Sequence, residues 1–426
     1  MKIRSGRGAR TQAPSGAEGL RRMLLPMVAG IAATKSDLMN WVHEVGLGAL
    51  SEMLRGEAEA IAGPKGKHRT DRTHHHWGQA SAELAFGGRR VSVSRPRVRA
   101  RAGREVQLPS VEHFRTCDPL PERVLNQIVL GVSTRGYERS LEAAPAAARS
   151  RGTSKSAASR HLVARMRIRM KDQLSRPLGE HSLLALVVDG IVVAGQTVVV
   201  ALGITGEGRK VPLGLWQGTT ENAATCTALL QDLLARGLRI EGRILCLIDG
   251  GKGLRKALTD VLGSNAVVQR CQLHKRRNVK DHLPKSRQAQ ADAVMRQAYR
   301  SGSSGAARKQ LRSLAAALEH EGHDGAAASV REGLEETLTV LKLGLSGALA
   351  RSLATTNCVE SLLSTVRRVM RNVKRWRGGE MVKRWTALGV STAEQRFRRI
   401  KGYRDLRVLA DALRERAPLD EAETAA

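Results

Sequence analysis

The chain has 426 residues, enough for roughly two to four structural units, and 42% of them are apolar, which excludes general disorder. Lys and Arg outnumber Asp and Glu 71 to 40, a formal net charge of +31. An Arg-rich coding bias would supply part of that excess, but self-repulsion on this scale calls for a polyanion, and nucleic acid fits because each neutralised phosphate releases counterions. Aromatic residues make up only 3% of the chain, which argues against a protein built to stack on single-stranded bases. The five cysteines are odd in number and lack framework spacing, so a reduced, cytoplasmic setting is expected.

Residues 1–20 are rich in Gly, Arg and Ser and read as a tail. Arg21-Arg22 and the apolar run Met23 to Ala33 resemble a signal peptide, but Pro26 interrupts the run. From Ser36 an amphipathic pattern (Leu38, Met39, Val42, Val45, Leu50, Met53, Leu54) predicts one or two helices over 36–62, closed by Gly63-Pro64. Residues 63–118 form a basic, β-prone segment. In it, Arg90 to Arg99 alternates Val with Ser or Arg, as expected of a strand offering one face to phosphates or of a charge-protected edge strand. His74-His75-His76 beside Trp77 reads as a solvated loop.

Residues 119–180 read as short helices. Pro121 opens one that Gly131 ends, Ser133 caps Thr134–Leu141, and after a turn at Gly152 Ser154 caps Lys155–Leu174. The last helix carries Lys155, Arg160, Arg165, Arg167 and Arg169. Two capped helices, the second basic, fit a DNA-binding helix-turn-helix, although a helical bundle with a solvated basic face gives the same pattern.

Leu183–Ala194, Gln196–Thr205 and Arg209–Gln217 are β-rich runs joined by very short turns, hence an antiparallel meander. Asp189, Gly190 and Gln196 break the apolar stretch from Leu183 to Ile204, so no membrane span is expected there. A helix over Glu221–Arg236, a strand over Arg243–Ile248, a helix over Lys252–Leu262 and a strand over Ala266–Cys271 follow. Helix-connected strands pair parallel, which predicts an α/β catalytic region of order β-β-β-α-β-α-β over 181–283, the order of ribonuclease H-like folds.

Asp189 and Asp249 each end a hydrophobic run, which predicts two carboxylates near the carboxyl ends of adjacent buried strands. Two such groups repel unless a proton or cation intervenes, and hard oxygen ligands suit Mg²⁺ better than Zn²⁺. Either residue alone could equally be a turn cap. Glu360 follows Thr355-Thr356-Asn357, where Thr356 or Asn357 can cap a helix and a first-turn Glu is ordinarily a dipole partner.

From about residue 90 to 413 the chain resembles mutator-type (Mule-like) insertion-sequence transposases. The matching pieces are Val188-Asp189-Gly190, Leu202-Gly203-Ile204, Leu213 to Trp216, Arg236-Gly237-Leu238, Ile248-Asp249-Gly250 with Gly253-Leu254, Gln269-Arg270-Cys271 to His274, Arg277-Asn278, and Thr355-Thr356-Asn357 with Glu360. Ser364 stands where the family commonly has a second Asn, with Arg367-Arg368 following. The resemblance implies a ribonuclease H-like domain interrupted by an all-helical insertion over 284–350 and resumed over 351–415. It implies that Asp189, Asp249 and Glu360 form one catalytic site for Mg²⁺, for which Mn²⁺ may substitute. It further implies cleavage and strand transfer on double-stranded DNA, at inverted repeats and at a target, by a homodimer or larger assembly without ATP.

Cys271 and His274 form a Cys-x-x-His pair that recurs in that family; zinc would need further ligands, so they order the join after the last strand, or His274 touches DNA. Gly250-Gly251-Lys252-Gly253 lacks the spacing and terminal Ser/Thr of a nucleotide loop. Trp216, Trp376 and Trp385 read as core. From Arg367 to Arg407 basic residues run almost unopposed, with Arg367, Arg368, Arg371, Lys374 and Arg375 the expected phosphate contacts. Two rivals remain at this point: a nuclease of the same fold, such as a junction resolvase, and a non-catalytic DNA-binding derivative of a transposase.

Overall fold

The structure, a computed structural model, describes residues 35–66, 72–117, 122–133, 137, 150–152, 154–218, 220, 222–240 and 242–414. The expected tail over 1–20, the Met23–Ala33 run and, apart from Tyr137, the helix expected over Thr134–Leu141 lie outside them. Two compact units, Met1–Leu162 and Val163–Ala426, divide the chain. Among the described residues no helix is long and apolar enough to cross a membrane.

In the first unit, helix α1 (Lys35–Ala62) packs on the hairpin β1 (His74–Phe86) and β2 (Arg89–Ala100). Leu50, Leu54, Ala58 and Ala62 recur every four residues and are buried, which places one stripe of α1 in the core with Leu84, Val91, Val93 and Val98. Phe86 pairs with Arg89 across a two-residue turn whose Gly87 and Gly88 both have positive φ, 61° and 79°, as a tight hairpin turn requires. β3 (Glu105–Val106) and β4 (Ser150–Gly152) also pair with β2, and the short helices α2 (Pro109–Thr116) and α3 (Glu122–Val129) belong to the same unit.

Three expectations are corrected here. β2 pairs on its second side with β4 through residues 89–91 and with β3 through Val98 and Arg99, so the expected edge is partnered at both its ends. Its arginines are not a free phosphate row either: Arg95 Nη2 and Arg97 Nη2 reach Glu105 at 2.9 and 2.7 Å. His74, His75 and His76 belong to β1, held there by pairing with Ala100, Arg99 and Val98, and are not loop. Gly152 pairs with Arg89 in a strand where a turn was expected.

Helix α4 (Lys155–Ser175) contains the boundary between the units. In the second unit a five-stranded sheet is ordered β7-β6-β5-β8-β9. β5 (Leu183–Val193), β6 (Gln196–Thr205) and β7 (Lys210–Gly218) form the antiparallel meander, and β8 (Ile244–Ile248) and β9 (Ala266–Arg270) add parallel to β5. The crossovers are α5 (Ala223–Ala235) and α6 (Lys252–Leu262). Leu186, Val188, Cys246, Ile248 and Val268 face these helices in one core with Leu229, Leu233, Leu254 and Leu258. Alternate residues of a strand point to opposite faces, so Val187, Leu245 and Leu247 serve the other face. There α14 (Asn357–Met370) packs against β5 and β6, and α15 (Gly379–Glu394) against β6 and β7. The unit is thus a mixed α/β fold whose elements run β5, β6, β7, α5, β8, α6, β9 along the chain.

Between β9 and α14 lie α7 (Gln272–Asp281), α8 (Lys285–Tyr299), α9 (Ser304–His320), α10 (Asp324–Arg331), α11 (Leu334–Thr337), α12 (Thr339–Lys342) and α13 (Gly347–Leu353). The helical insertion has its own core, from Val279 and Met295 to Leu311, Val330 and Leu338. Its far end covers the edge strand β9: Thr339 Oγ1 donates to Val268 O at 2.6 Å, and the buried Gln269 Oε1 accepts from Val340 N at 2.8 Å. An open edge is thereby closed by side-chain and backbone donors. The chain ends its described part in α16 (Leu406–Arg414), whose last carbonyls, at Ala412 and Leu413, accept from the Arg243 guanidinium.

Candidate active site

The strand registers decide what stands level at the carboxyl ends of β5, β8 and β9. Ala185 pairs with Leu245 and Val187 with Leu247, an offset of 60 residues (245 less 185). Ile248 pairs with Arg270, an offset of 22 (270 less 248). Extended by two residues and by one, these registers put Asp189 beside Asp249 and Asp249 beside Cys271. The Cys271 N–H donates to Ile248 O at 2.8 Å, so the ladder does continue. Neighbouring strands lie roughly 4.8 Å apart, so the extended register puts the two carboxylates at the same level of adjacent strands. Parity then places Asp189, Asp249 and Cys271 on the face away from Val188 and Ile248, the face on which α14 lies.

Asp189 is the seventh of eleven residues in β5, not its last, because β5 runs on as a hairpin with β6. On the β8 side its pairing stops at Val187, two residues before Asp189. Each Asp has one oxygen fixed by backbone: Asp189 Oδ1 accepts from Gly190 N, and Asp249 Oδ1 from Gly251 N, both at 2.8 Å. The second contact needs the chain to turn back at once, which Gly250 allows at φ 118°.

Glu360 stands in the first turn of α14. The helix forms because Val359, Leu362, Leu363, Val366, Val369 and Met370 recur at three- and four-residue spacing and are buried. Gly389 of α15 lets the two backbones meet, since a Cβ there would stand 2.7 Å from Val366 Cα. Thr356 precedes the helix, but its hydroxyl makes no capping bond; it donates to Glu360 Oε1 at 2.9 Å. His274 Nδ1 lies 3.9 Å from the same oxygen.

Burial, above all, pushes Asp189 up to about 6; the Gly190 N–H opposes it, the charges of Asp249 and Glu360 raise it further, and His274 lowers it. Asp189 thus feels the charge of both other carboxylates, while the donors that lie within 4.8 Å of one another are those of Cys271, His274 and Glu360. The bond to Cys271 raises His274 to about 9 against the cost of burial, helped by the charges of Cys271, Glu360 and Asp189. Burial disfavours the Cys271 thiolate, yet hydrogen bonds from His274 and Thr356 outweigh it and the thiol is lowered. Cys271 and His274 therefore tie the end of β9 to the start of α14, a wider join than the one expected. Among the described residues none of the three carboxylates pairs with Lys or Arg. Asp189 and Asp249, each with one oxygen held by backbone, and Glu360 offer hard oxygen donors of the kind a divalent ion such as Mg²⁺ takes.

The expected phosphate contacts are placed unevenly. Lys155 and Arg160 are exposed on α4, whose buried stripe is Ala158, Leu162 and Met166. Arg165 is one residue from Met166, half-buried and already partnered, so exposed Arg167 is the better surface cation. Arg367 and Arg368 are exposed in the last turn of α14. Arg371, Lys374 and Arg375 are exposed too, in the irregular stretch between α14 and α15. Trp385 is buried, whereas Trp216 and Trp376 are only half-buried.

Arg270 escaped attention in the sequence beyond its family match. It is 7% exposed, with Nη1 3.4 Å from Glu332 Oε1 and Nε 3.3 Å from Glu336 Oε2. An arginine closing an otherwise buried strand was the available signal.

A family model described as transposase, Mutator family, matches residues 26–399. The chain is 30% identical over 168 residues to the transposase for insertion sequence element IST2 of Acidithiobacillus ferrooxidans, covering 39% of this chain and 55% of that one. It is 26% identical over 207 residues to the transposase for ISRM3 of Rhizobium meliloti strain 1021, covering 49% and 50%. It is 28% identical over 170 residues to the transposase for IS256 in transposon Tn4001 of Staphylococcus aureus, covering 40% and 42%. The chain thus spans about half the length of the curated relatives it matches. With the family model reaching across most of its length, the chain belongs to the Mutator family of transposases.

Proposed function

We propose that this chain is the DNA transposase of an insertion sequence, with a ribonuclease H-like catalytic domain that cleaves the element's ends and joins them to target DNA. The observation that carries this reading is the shared register of Asp189 and Asp249 on the face where α14 delivers Glu360. Asp189, Asp249 and Glu360 would hold Mg²⁺, or Mn²⁺ in its place. Bound there, the ion would lower the pKa of the attacking water or 3′-hydroxyl and offset charge at the scissile phosphate.

The protein's own part is to hold the ligands in place. Gly190 N and Gly251 N each fix one carboxylate oxygen, and the second oxygen of each Asp has no hydrogen-bond partner among the described residues. Exposed basic residues on α4 and after α14 would hold the phosphates of double-stranded DNA at inverted repeats and target. A homodimer or larger assembly would bring two ends together, and no ATP is needed because phosphodiester exchange conserves bond energy.

The test is a strand-transfer assay with the element's terminal-repeat DNA and Mg²⁺. Wild type is expected to nick and join, and Glu360→Gln to lose both by at least about a thousandfold while still binding the ends. A double change of Glu360 and Asp249 should cost little more than either alone, since ligands of one site act as a unit. Cleavage without joining would favour a nuclease, and binding without either a non-catalytic derivative. Near wild-type joining by Glu360→Gln would refute the site as drawn.

A further inference from the structure

Thr356 is fully buried beside the candidate active site, and its hydroxyl oxygen touches three functional groups. Oγ1 stands 2.9 Å from Glu360 Oε1, 3.4 Å from Cys271 Sγ and 3.4 Å from His274 Nδ1. A hydroxyl has one proton and two lone pairs, so it cannot donate to more than one of these. Glu360 is the nearest and, as a carboxylate, only accepts, so the proton goes there. The lone pairs that remain accept from the imidazole. The Thr356 backbone N–H donates to Cys271 Sγ at 3.4 Å, which fixes the residue from its other side. A threonine at this position ordinarily turns its oxygen to the first amides of its helix. Here that bond is absent, and the hydroxyl serves Glu360 instead.

We propose that Thr356 is a positioning residue: its hydroxyl sets the orientation of the Glu360 carboxylate, and Cys271 and His274 hold Thr356. The inference rests on Glu360 being a ligand, as proposed above. A free glutamate rotates about three side-chain bonds; with Oε1 tethered, the carboxylate is already oriented before a cation arrives. Groups that orient a metal ligand from behind typically change affinity tenfold to a hundredfold when removed. Cys271, His274 and Glu360 present donors within 4.8 Å of one another, a set that would also suit a thiol-seeking cation such as Zn²⁺. Thr356 meets all three groups instead, its hydroxyl between Glu360 and His274 and its backbone N–H on Cys271.

The test uses the full chain without DNA, with Mn²⁺ binding read by calorimetry and folding by thermal melting. Thr356→Val keeps the volume and removes the hydroxyl, and Thr356→Ala replaces it should the valine variant not fold. Either is expected to weaken Mn²⁺ binding tenfold to a hundredfold, and Thr356→Ser to restore it to within about threefold of wild type. Wild-type Mn²⁺ affinity in the hydroxyl-free variants, with Glu360→Gln impaired, would overturn the positioning role alone. Unchanged affinity in Glu360→Gln would instead overturn the underlying ligand assignment. A sulfur-to-cobalt absorption band on adding Co²⁺, lost in Cys271→Ser, would make the cluster itself a metal site and overturn the proposal as well.

Discussion

The guanidinium of Arg270 lies against the bare Cα of Gly333: a Cβ there would stand 2.6 Å from Cζ and 2.7 Å from Nη1. The stem of the same side chain passes Gly250, where an added Cβ would meet Cδ at 3.3 Å. One buried arginine therefore packs against the loop after Asp249 and against the turn that opens α11 of the insertion. Its charge is answered by Glu332 and Glu336, and Arg255 Nε also donates to Glu336 Oε1, at 2.6 Å.

Gly333→Ala is expected to destabilise the protein by about 3 kcal/mol. Roughly 1–2 kcal/mol comes from a side chain at φ 60°, and the rest from displacing a buried, paired guanidinium. Gly322→Ala is the control: its φ is 77°, yet nothing lies within 4 Å of the added carbon, so only the backbone cost applies. Denaturant unfolding of both variants measures the difference. Equal losses would mean that Arg270 yields without cost.

Asp189 makes the folded protein pH-sensitive. Its carboxyl is raised to about 6 from an ordinary 3.8, so the folded state holds the proton more tightly than the unfolded chain. Such a group contributes stability that is fully present below about pH 4 and lost as pH rises through 6. The loss is on the order of 3 kcal/mol at 1.4 kcal/mol per unit. Asp189→Asn should therefore stabilise the metal-free protein at pH 8, raising its melting temperature by several degrees, and leave it nearly unchanged at pH 4. Added Mg²⁺ is expected to raise the wild-type melting temperature more than that of the variant. A variant less stable than wild type at pH 8 would contradict the burial cost assigned to this carboxylate.

The same proton competes with any cation. Below pH 6 a divalent ion must displace it, so Mn²⁺ affinity should climb as pH rises toward 6 and level off above. Calorimetry across that range gives the profile, and a flat line from pH 5 to 8 would separate Asp189 from the site.

The sequence showed the second unit well because its signals are local. Short turns force a meander, dozen-residue helical links force parallel pairing, and both read directly from Leu183 to Arg270. The 60 residues between Asp189 and Asp249 turn out to be the register offset itself, but only pairing could reveal that. Glu360 needed family resemblance, since a glutamate in the first turn of a helix is usually a dipole partner. Thr356 was one of two possible caps, with Asn357, and nothing in the sequence tells a capping hydroxyl from one turned toward a side chain a full turn further on. The placing of β2 was missed for a related reason. An alternating Val/Arg run looks the same at an edge or inside a sheet, and Glu105, which answers two of its arginines, arrives from another strand.

The stretch after α14 gives the sharpest test of DNA contact. Arg371, Lys374 and Arg375 are exposed and make no ion pair among the described residues, so the protein itself does not neutralise them. Each phosphate they engage would release counterions, and each contributes roughly 0.9 to the slope of log affinity against log salt. Changing all three to Ala should flatten that slope by about 2 to 3, and weaken matched and unrelated duplexes alike, because phosphate contacts carry no sequence. Charge reversal at Arg160 and Arg167 should behave differently. Both lie on the exposed side of α4, opposite Ala158, Leu162 and Met166, where a helix entering the major groove would present its side chains. Terminal-repeat DNA should then lose more affinity than random duplex. Fluorescence anisotropy with both duplexes over a salt series reads the two effects at once. An unchanged slope in the first variant would remove the stretch from the interface, and equal losses in the second would leave α4 as a general phosphate contact.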